Sequence, residues 1–351
     1  MNTAPIDTLI AGQGLAGSLL AWQLHRRGQR IQILDDGHQS AASTVAAGLF
    51  NPITGQRLVK GPEVDSCLSA ALRNYRELEA VLARPLFYPK PIWRLFQNEK
   101  ERQAWEKRSK DPSYQPYLGE ALDPLVQPHA PLGGFVQQQT GYLDTCALLN
   151  GLREYFFARG VYRREALDYH QLRISQDEVR YGRLRAQRLI FCEGWQIRGN
   201  PWFGLLPLTP ARGTILTLHC KAPLPDVILN QGRWLMPRGN DTYRLGASYD
   251  REGLEQPPSQ AEIDALLAQL PRWFDPLPSY QVVRVQSGVR PNTRDKLPWL
   301  GMHPRHPRLG VFNGFGSRGS LLIPWHAERM ADLLCDDIAV PIDVDIARLC
   351  I

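Results

Sequence analysis

The chain has 351 residues, of which 43% are hydrophobic and 22% are charged. This composition is typical of globular proteins and excludes a disordered chain, and the length is typical of about two domains. The net charge of +6 comes from 34 Arg and 7 Lys against 35 acids, but no run of five or six basic residues marks a nucleic-acid-binding tail.

No stretch of the sequence approaches the ~18 apolar residues that a transmembrane helix needs, so no membrane span is expected. The uncharged residues 9–22 lack a basic leading segment and contain three glycines, which argues against a signal peptide. The six cysteines form no CxxC pair and have no zinc-ligand spacing. We therefore expect reduced thiols, no metal site and a cytoplasmic location.

The first elements of the chain predict a βαβ unit. Residues 6–11 form an apolar run typical of a buried strand, and residues 15–27 have the composition of a helix that Gly28 ends. Residues 30–34 alternate as a second strand. Leucines at helical spacing then predict an amphipathic helix over 62–83.

The middle of the chain predicts a change of architecture. Residues 85–135 are rich in proline and aromatic residues, which favours a loop-heavy cap. Asp144 is placed to begin a helix, and residues 188–192 are expected to return to the first sheet as a strand. Further strands are predicted at 213–219, 234–237 and 242–246, with a helix at 261–270.

The last part predicts a Gly/Pro-rich loop from 286, a strand at 309–312 and a helix at 320–334. The sum is an α/β fold in which a Rossmann-like domain is interrupted by an α+β domain with a mainly antiparallel sheet. We expect the first domain to cover 1–60, 140–205 and 285–351. The second domain then covers 61–139 and 206–284.

A nucleotide-binding fingerprint lies between the first strand and the first helix. Gly12, Gly14 and Gly17 form G-x-G-x-x-G: the first allows a tight turn, the second lets a pyrophosphate approach the helix N-terminus, and the third lets helix and strand pack closely. Asp35 follows 18 residues after Gly17, at the end of the second strand, where an acid can bind a ribose hydroxyl.

Two further features favour a flavin over a nicotinamide. A run of small residues that includes Ser43, Thr44, Ala47 and Gly48 follows the second strand and would let the backbone approach a flat ring system. A second glycine turn, 313–319, precedes the C-terminal helix. Its N–H groups and the helix dipole could stabilise negative charge on the pyrimidine of a reduced flavin.

The whole chain resembles the FAD-dependent amine and amino-acid oxidases of the D-amino-acid oxidase superfamily, such as glycine oxidase and sarcosine oxidase. The resemblance is carried by GQGLAG with Asp35, AAGLFNP, RLIFCEG, SGVRPNTRDKLPWLG and NGFGSRGSLLIP. The last segment also resembles the oxidase domain of the bifunctional enzyme that modifies the tRNA wobble uridine. The first predicted domain is accordingly expected to bind FAD.

The resemblance implies a set of site residues. The expected cofactor-binding residues are Gly12, Gly14, Leu15, Ala16, Gly17, Asp35, Asp36, Ser43, Thr44, Ala47, Gly48, Leu49, Gly194, Gly314, Gly316, Ser317, Arg318, Gly319 and Ser320. The expected catalytic residues are Arg290, Arg318 and Trp234.

Each of the three catalytic candidates has a separate role in this interpretation. Arg290 matches the arginine that pairs with the substrate carboxylate, a task suited to a planar, bidentate guanidinium; alternatively it is a loop arginine paired with Asp295 or another acid. Arg318 would add a cation beside the reduced flavin. Trp234 stands where glycine-type oxidases often carry a tyrosine, which removes a hydroxyl from the pocket.

The expected activity is oxidation of the C–N bond of a small amino acid or N-substituted glycine by hydride transfer to flavin N5. Oxygen and a quinone-type carrier are both compatible as electron acceptors. Two alternatives remain: a tRNA-modifying oxidase that removes a carboxymethyl group from a wobble uridine, and a flavin-binding protein without turnover. The basic net charge favours tRNA slightly, whereas the lack of a dense basic stripe disfavours it.

Overall fold

The computed structural model describes residues 6–37, 41–122, 129–221 and 224–349. Within these ranges the helices are α1 (Leu15–Arg26), α2 (Ala42–Val45), α3 (Val64–Leu82), α4 (Glu99–Arg108), α5 (Thr145–Phe157), α6 (Gln260–Leu267), α7 (Leu270–Trp273) and α8 (Gly319–Asp336). The strands in the first half are β1 (Ile6–Ala11), β2 (Ile31–Asp35), β3 (Leu49–Phe50), β4 (Ile53–Thr54), β5 (Val59–Lys60), β6 (Phe87–Pro89), β7 (Ile92–Leu95), β8 (Leu118–Ala121), β9 (Gly134–Gln137), β10 (Gly141–Leu143) and β11 (Tyr162–Arg164).

The strands in the second half are β12 (Leu172–Ile174), β13 (Val179–Tyr181), β14 (Leu184–Phe191), β15 (Ala211–Cys220), β16 (Ile228–Gln231), β17 (Arg233–Gly239), β18 (Thr242–Gly246), β19 (Tyr280–Arg290), β20 (Trp299–His303) and β21 (His306–Asn313). They complete two large sheets.

The first sheet has a parallel core in the order β11–β2–β1–β14–β21. The carboxyl-terminal parts of β1 and β14 are buried apolar runs because both faces of the sheet are covered there, as in doubly wound folds. Helices α1, α3 and α8 pack together on one face around a core that includes Leu20, Tyr75 and Met330. The predicted βαβ start and the return of residues 188–192 to this sheet are both confirmed.

The second sheet runs β19–β15–β18–β17–β16–β7–β9–β8 and is antiparallel except for the β16–β7 pair. The predicted α/β class with a mainly antiparallel second sheet is therefore confirmed. The domain boundaries stay a prediction; the boundary at 285 falls inside β19.

Two sequence interpretations were wrong. Residues 85–135 are not a loop-heavy cap, because β7 and β9 are inner strands of the second sheet. These strands are only four residues long, too short for alternation to stand out among the prolines. Residues 286–290 are not loop but the end of β19, where the small residues Ser287 and Gly288 hid a strand that pairs with β15.

Candidate active site

One cavity of about 540 Å³ lies between the two sheets, at the carboxyl ends of β1, β2 and β14. This edge is where open α/β sheets bind ligands, and the volume lies in the range of small-molecule sites. Its opposite wall is formed by residues of the second sheet, including Gly213, Ile215 and Trp234. The cavity therefore has a glycine-rich end on the first sheet and a second end on the antiparallel sheet.

The turn after β1 requires glycine at the first and third of its fingerprint positions and leaves little room at the second. Gly12 has φ of +96°, and a Cβ there would lie 2.6 Å from the carbonyl oxygen of Cys192. A Cβ on Gly17 would lie 1.9 Å from the carbonyl oxygen of Gly12. Gly14 is the N-cap residue of α1, and its Cβ would lie 3.3 Å from Ser43 Oγ. The turn thus exposes bare backbone at a helix N-terminus, where an anion is favoured.

Two side chains hold this turn in place. The backbone N–H of Gln13 donates to Asp35 Oδ2 at 2.7 Å, and that of Leu15 donates to Ser43 Oγ at 3.0 Å. Asp35 Oδ1 also accepts from the N–H of Gly37 at 2.8 Å. Asp35 lines the cavity, but its carboxylate also orders the glycine turn, a task that sequence reasoning missed.

The second glycine turn, residues 313–319, borders the same cavity as the first. Gly314 and Gly316 have φ of +84° and +55°, and a Cβ on either would lie within 2.7 Å of an atom of Thr293 or Asn292. Asn313 Nδ2 donates to the carbonyl oxygen of Gly194 at 2.8 Å. Both glycine turns therefore border one space, and α8 begins directly after the second.

The cavity brings together most of the predicted site residues. Those that line it are Gly12, Gly14, Leu15, Ala16, Asp35, Asp36, Ser43, Ala47, Gly48, Leu49, Gly194, Gly316, Ser317, Arg318, Gly319, Ser320, Trp234 and Arg290. Gly17 and Gly314 are not in the lining, although both shape the turns. Thr44 faces a second cavity, and its hydroxyl donates to the carbonyl oxygen of Ala41 at 2.8 Å. The role of each residue towards a cofactor stays a prediction.

Arg290 lies at the far end of the cavity without an acidic partner among the described residues. Its guanidinium covers Gly213, where a Cβ would lie 2.0 Å from the nearest terminal nitrogen, and it donates to the carbonyl oxygen of Ser248 at 3.2 Å. Burial lowers its pKa. The alternative pairing with Asp295 does not occur, because Asp295 pairs with Arg348 at 3.0 Å.

Arg318 and Trp234 approach the same space from different walls. Arg318 is the N-cap residue of α8, and burial lowers the pKa of its guanidinium. The indole of Trp234 lies over Gly246, where a Cβ would lie 2.7 Å from the ring. Gly213 and Gly246 thus make room for two large side chains. Sequence reasoning missed these two glycines, because only the pairing of strands shows which residues lie opposite one another.

Glu193 is a further residue that sequence reasoning left without a role. It lines the cavity beside Gly194, and its carboxylate accepts hydrogen bonds from Tyr169 Oη at 2.7 Å and Asn200 Nδ2 at 2.9 Å. Burial raises its pKa to about 7, against the lowering effect of both donors. The acidic residue in the triplet CEG, at the end of the predicted strand, was the sequence signal that could have indicated Glu193.

Two general features can be stated for the described residues. No helix among them is long and apolar enough to cross a membrane. The same residues contain no group of three or more His, Cys, Asp or Glu side chains arranged to hold a metal ion.

Comparisons with known proteins give a consistent result. The chain is 26% identical to the bifunctional protein ThiO/ThiG of Nostoc sp. over 96% of its length, but spans only about half, 54%, of that relative. It is 24% identical to glycine oxidase of Pseudomonas putida, covering 93% of this chain and 94% of that one. It is also 26% identical, over 97% of its length and 57% of the relative, to the bifunctional protein MnmC of Aeromonas hydrophila, named for tRNA 5-methylaminomethyl-2-thiouridine biosynthesis.

The fold matches as well. The structure of glycine oxidase from Geobacillus kaustophilus superposes with a TM-score of 0.82 at 20% identity, covering 99% of this chain and 98% of that one. The sequence profile of the FAD dependent oxidoreductase (DAO) family matches residues 7–333. The resemblance inferred from the motifs is confirmed: the chain belongs to the DAO family of FAD-dependent oxidoreductases.

Proposed function

We propose that this enzyme oxidises the C–N bond of a small amino acid or N-substituted glycine. The observation that supports this most is Arg290, a guanidinium at the cavity end with one backbone hydrogen bond and no acidic partner among the described residues. A half-buried cation without a counter-ion costs free energy, and a ligand that supplies the opposite charge offsets that cost. A substrate carboxylate is the group that a guanidinium fork binds best.

The rest of the cavity fits FAD. The turn at Gly12–Gly14 brings the N-terminus of α1 to the place where the pyrophosphate would lie, and any side chain at Gly12 would clash with Cys192. The turn at Gly316–Gly319 presents the N-terminus of α8 to the ring system. When bound, FAD supplies a two-electron acceptor for the carbon next to the amine nitrogen.

The chain's own residues bind and orient the substrate. Arg290 holds the carboxylate, which places the adjacent amine and its carbon within the cavity. Trp234 forms part of the apolar wall of the cavity. Arg318 and the α8 dipole stabilise negative charge at the base of the cavity. The substrate leaves as an imine, which water hydrolyses, and no strong base is needed if the amine binds in its neutral form.

An anaerobic screen tests this proposal. The purified FAD-loaded enzyme is mixed with amino acids, N-alkyl glycines and modified tRNA, and flavin absorbance is followed. Loss of the oxidised spectrum with a carboxylated amine supports the proposal and excludes a flavin-binding protein without turnover. An unchanged spectrum with every carboxylated amine contradicts it.

A tRNA substrate is the second candidate, and one feature favours it. A second cavity of about 930 Å³ is lined by five arginines: Arg153, Arg164, Arg238, Arg244 and Arg284. Guanidinium groups bind phosphates, and such binding weakens steeply with salt. A tRNA mobility shift at low salt that disappears at higher salt, and that Arg164→Ala with Arg284→Ala weakens, would support it. Absence of a shift at low salt removes this candidate.

We also propose a cytoplasmic location, from cysteine usage. The five described cysteines, Cys67, Cys146, Cys192, Cys220 and Cys335, are all free thiols. Free thiols are typical of reducing compartments. Fractionation of cells that express a tagged chain checks the location, and recovery outside the cytoplasmic fraction contradicts it.

A further inference from the structure

Glu193 follows β14 and lies beside the glycine turn after β1. A Cβ on Gly12 would lie 3.7 Å from the Cα of Glu193, and both residues line the main cavity. Gly14, two residues further on, is the N-cap residue of α1, so the positive end of that helix lies at the same turn. An acidic side chain therefore borders the turn that we expect to hold the diphosphate of FAD.

The carboxyl group of Glu193 is held by neutral partners. It accepts hydrogen bonds from Tyr169 Oη at 2.7 Å and from Asn200 Nδ2 at 2.9 Å, and Tyr169 also lines the cavity. Among the described residues, no guanidinium or ammonium group pairs with this carboxyl. Two neutral donors do not offset the burial of a carboxylate, and burial therefore raises the pKa of Glu193 to about 7.

The other ionisable groups around Glu193 do not titrate with it. Tyr169 and Cys192 face its side chain, and burial raises the pKa of both groups, so both are neutral at pH 7. The charged residues that line the same cavity are Asp35, Asp36, Arg290 and Arg318. Within the described ranges, no histidine lines this cavity. The protonation of Glu193 near neutral pH is therefore not coupled to a histidine in the cavity lining.

A dinucleotide in the cavity makes the charged form of Glu193 less favourable in two ways. The diphosphate brings negative charge to the turn beside it, and like charges in a partly desolvated site repel. The dinucleotide also replaces water in the cavity, which removes solvent from the carboxyl group. The positive end of α1 cannot balance both the diphosphate and a carboxylate. A neutral carboxyl avoids the repulsion and can donate a hydrogen bond.

We propose that FAD binds the form of this protein in which Glu193 is protonated, so that cofactor binding above neutral pH takes up one proton at this carboxyl. The proton comes from solvent, and the O–H bond of the carboxyl is the covalent bond that forms. This inference goes beyond the proposed function, because it concerns the cofactor and does not depend on which amine is oxidised. It makes the retention of FAD sensitive to pH through one acid of this chain.

Release of FAD from the loaded full-length protein tests the inference. The protein is diluted serially at pH 6 and at pH 8, and the FAD that passes an ultrafiltration membrane gives the apparent Kd. We expect Kd to rise about tenfold from pH 6 to pH 8, because the protonated fraction of a group with a pKa near 7 falls by about that factor. Glu193→Gln cannot ionise and should have one Kd at both pH values. Glu255→Gln removes an exposed acid outside the cavity and should keep the rise.

A second variant separates protonation from a merely structural role. Tyr169→Phe keeps the carboxyl of Glu193 but removes one donor to its charged form, so the rise in Kd should begin at a higher pH. Calorimetry at pH 8 in two buffers with different ionisation enthalpies should show uptake of about one more proton per FAD in the native chain than in Glu193→Gln. An apparent Kd that is equal at pH 6 and pH 8 in the native chain, or a rise that survives in Glu193→Gln, overturns the inference. Failure of every carboxylated amine to reduce the bound flavin overturns the proposed function alone.

Discussion

The two ends of the main cavity are built by opposite means. The cofactor end is defined by missing side chains: at Gly12 and Gly17 a Cβ would lie within 2.6 Å of backbone oxygen. The substrate end is defined by large side chains, Arg290 and Trp234, that cover glycines of neighbouring strands. In the proposed function, the first end would bind the cofactor through backbone geometry shared by many nucleotide sites, whereas the second would select the substrate through charge and shape particular to this chain.

The largest effect is expected at the cofactor end. Gly14→Val places two methyl groups where the α1 N-terminus must approach the pyrophosphate, so we expect loss of bound FAD. The measurement is the flavin-to-protein absorbance ratio after purification. Gly199→Val, at an exposed glycine with nothing within 4 Å of its Cβ position, is the control and should retain FAD. A yellow, stoichiometrically loaded Gly14→Val protein would contradict the assignment of this end.

At the substrate end, Arg290→Ala should leave FAD bound and weaken turnover of carboxylated amines. The lost charged hydrogen bond of ~1.5–3 kcal/mol predicts a fall in kcat/KM on the order of ten- to a hundredfold, mainly through KM. Carboxylate-free amines should be little affected. Equal losses for both classes of amine would show that Arg290 does not bind the carboxylate.

Arg318 lines the cavity at the start of α8. We expect its removal to change the reduction potential of the bound flavin. Arg318→Gln removes a positive charge beside the α8 N-terminus, which destabilises the anionic reduced flavin. We expect the two-electron reduction potential to fall by tens of millivolts, where about 30 mV corresponds to roughly 1.4 kcal/mol. Potentiometric titration measures the shift, and an unchanged potential would place Arg318 too far from the ring to act on it.

The smallest effect concerns pH and Glu193. Burial raises the pKa of Glu193 from 4.5 to about 7, because the folded state favours the neutral form of this side chain. Protonation of Glu193 therefore stabilises the folded state. That contribution is complete below pH 4.5 and is lost as pH rises through 7. Glu193→Gln, which cannot ionise, should gain a few degrees in Tm over the native chain at pH 8 but not at pH 4.5. The same difference in Tm at both pH values would rule out titration of Glu193 as its cause.

The sequence indicated the glycine turns that line one end of the cavity, but it did not indicate the contacts that build the other end, for a physical reason. The G-x-G-x-x-G turn and the flanking strand and helix depend on residues close in sequence, so spacing and periodicity report them. The contacts of Arg290 with Gly213 and Ser248 join residues 77 and 42 positions apart, which are brought together by the pairing of β15 with both β19 and β18. Arg290 was found only through the family resemblance.

The hydrogen bond from Asn313 to Gly194 also bears on how the enzyme matures. It joins wall segments that are 119 positions apart in the sequence. A chain that has been synthesised only as far as residue 312 lacks the second glycine turn, and therefore lacks one wall of the cavity. In the proposed function, FAD would stabilise chains that contain both turns, because a ligand that binds only the folded state shifts the folding equilibrium towards it.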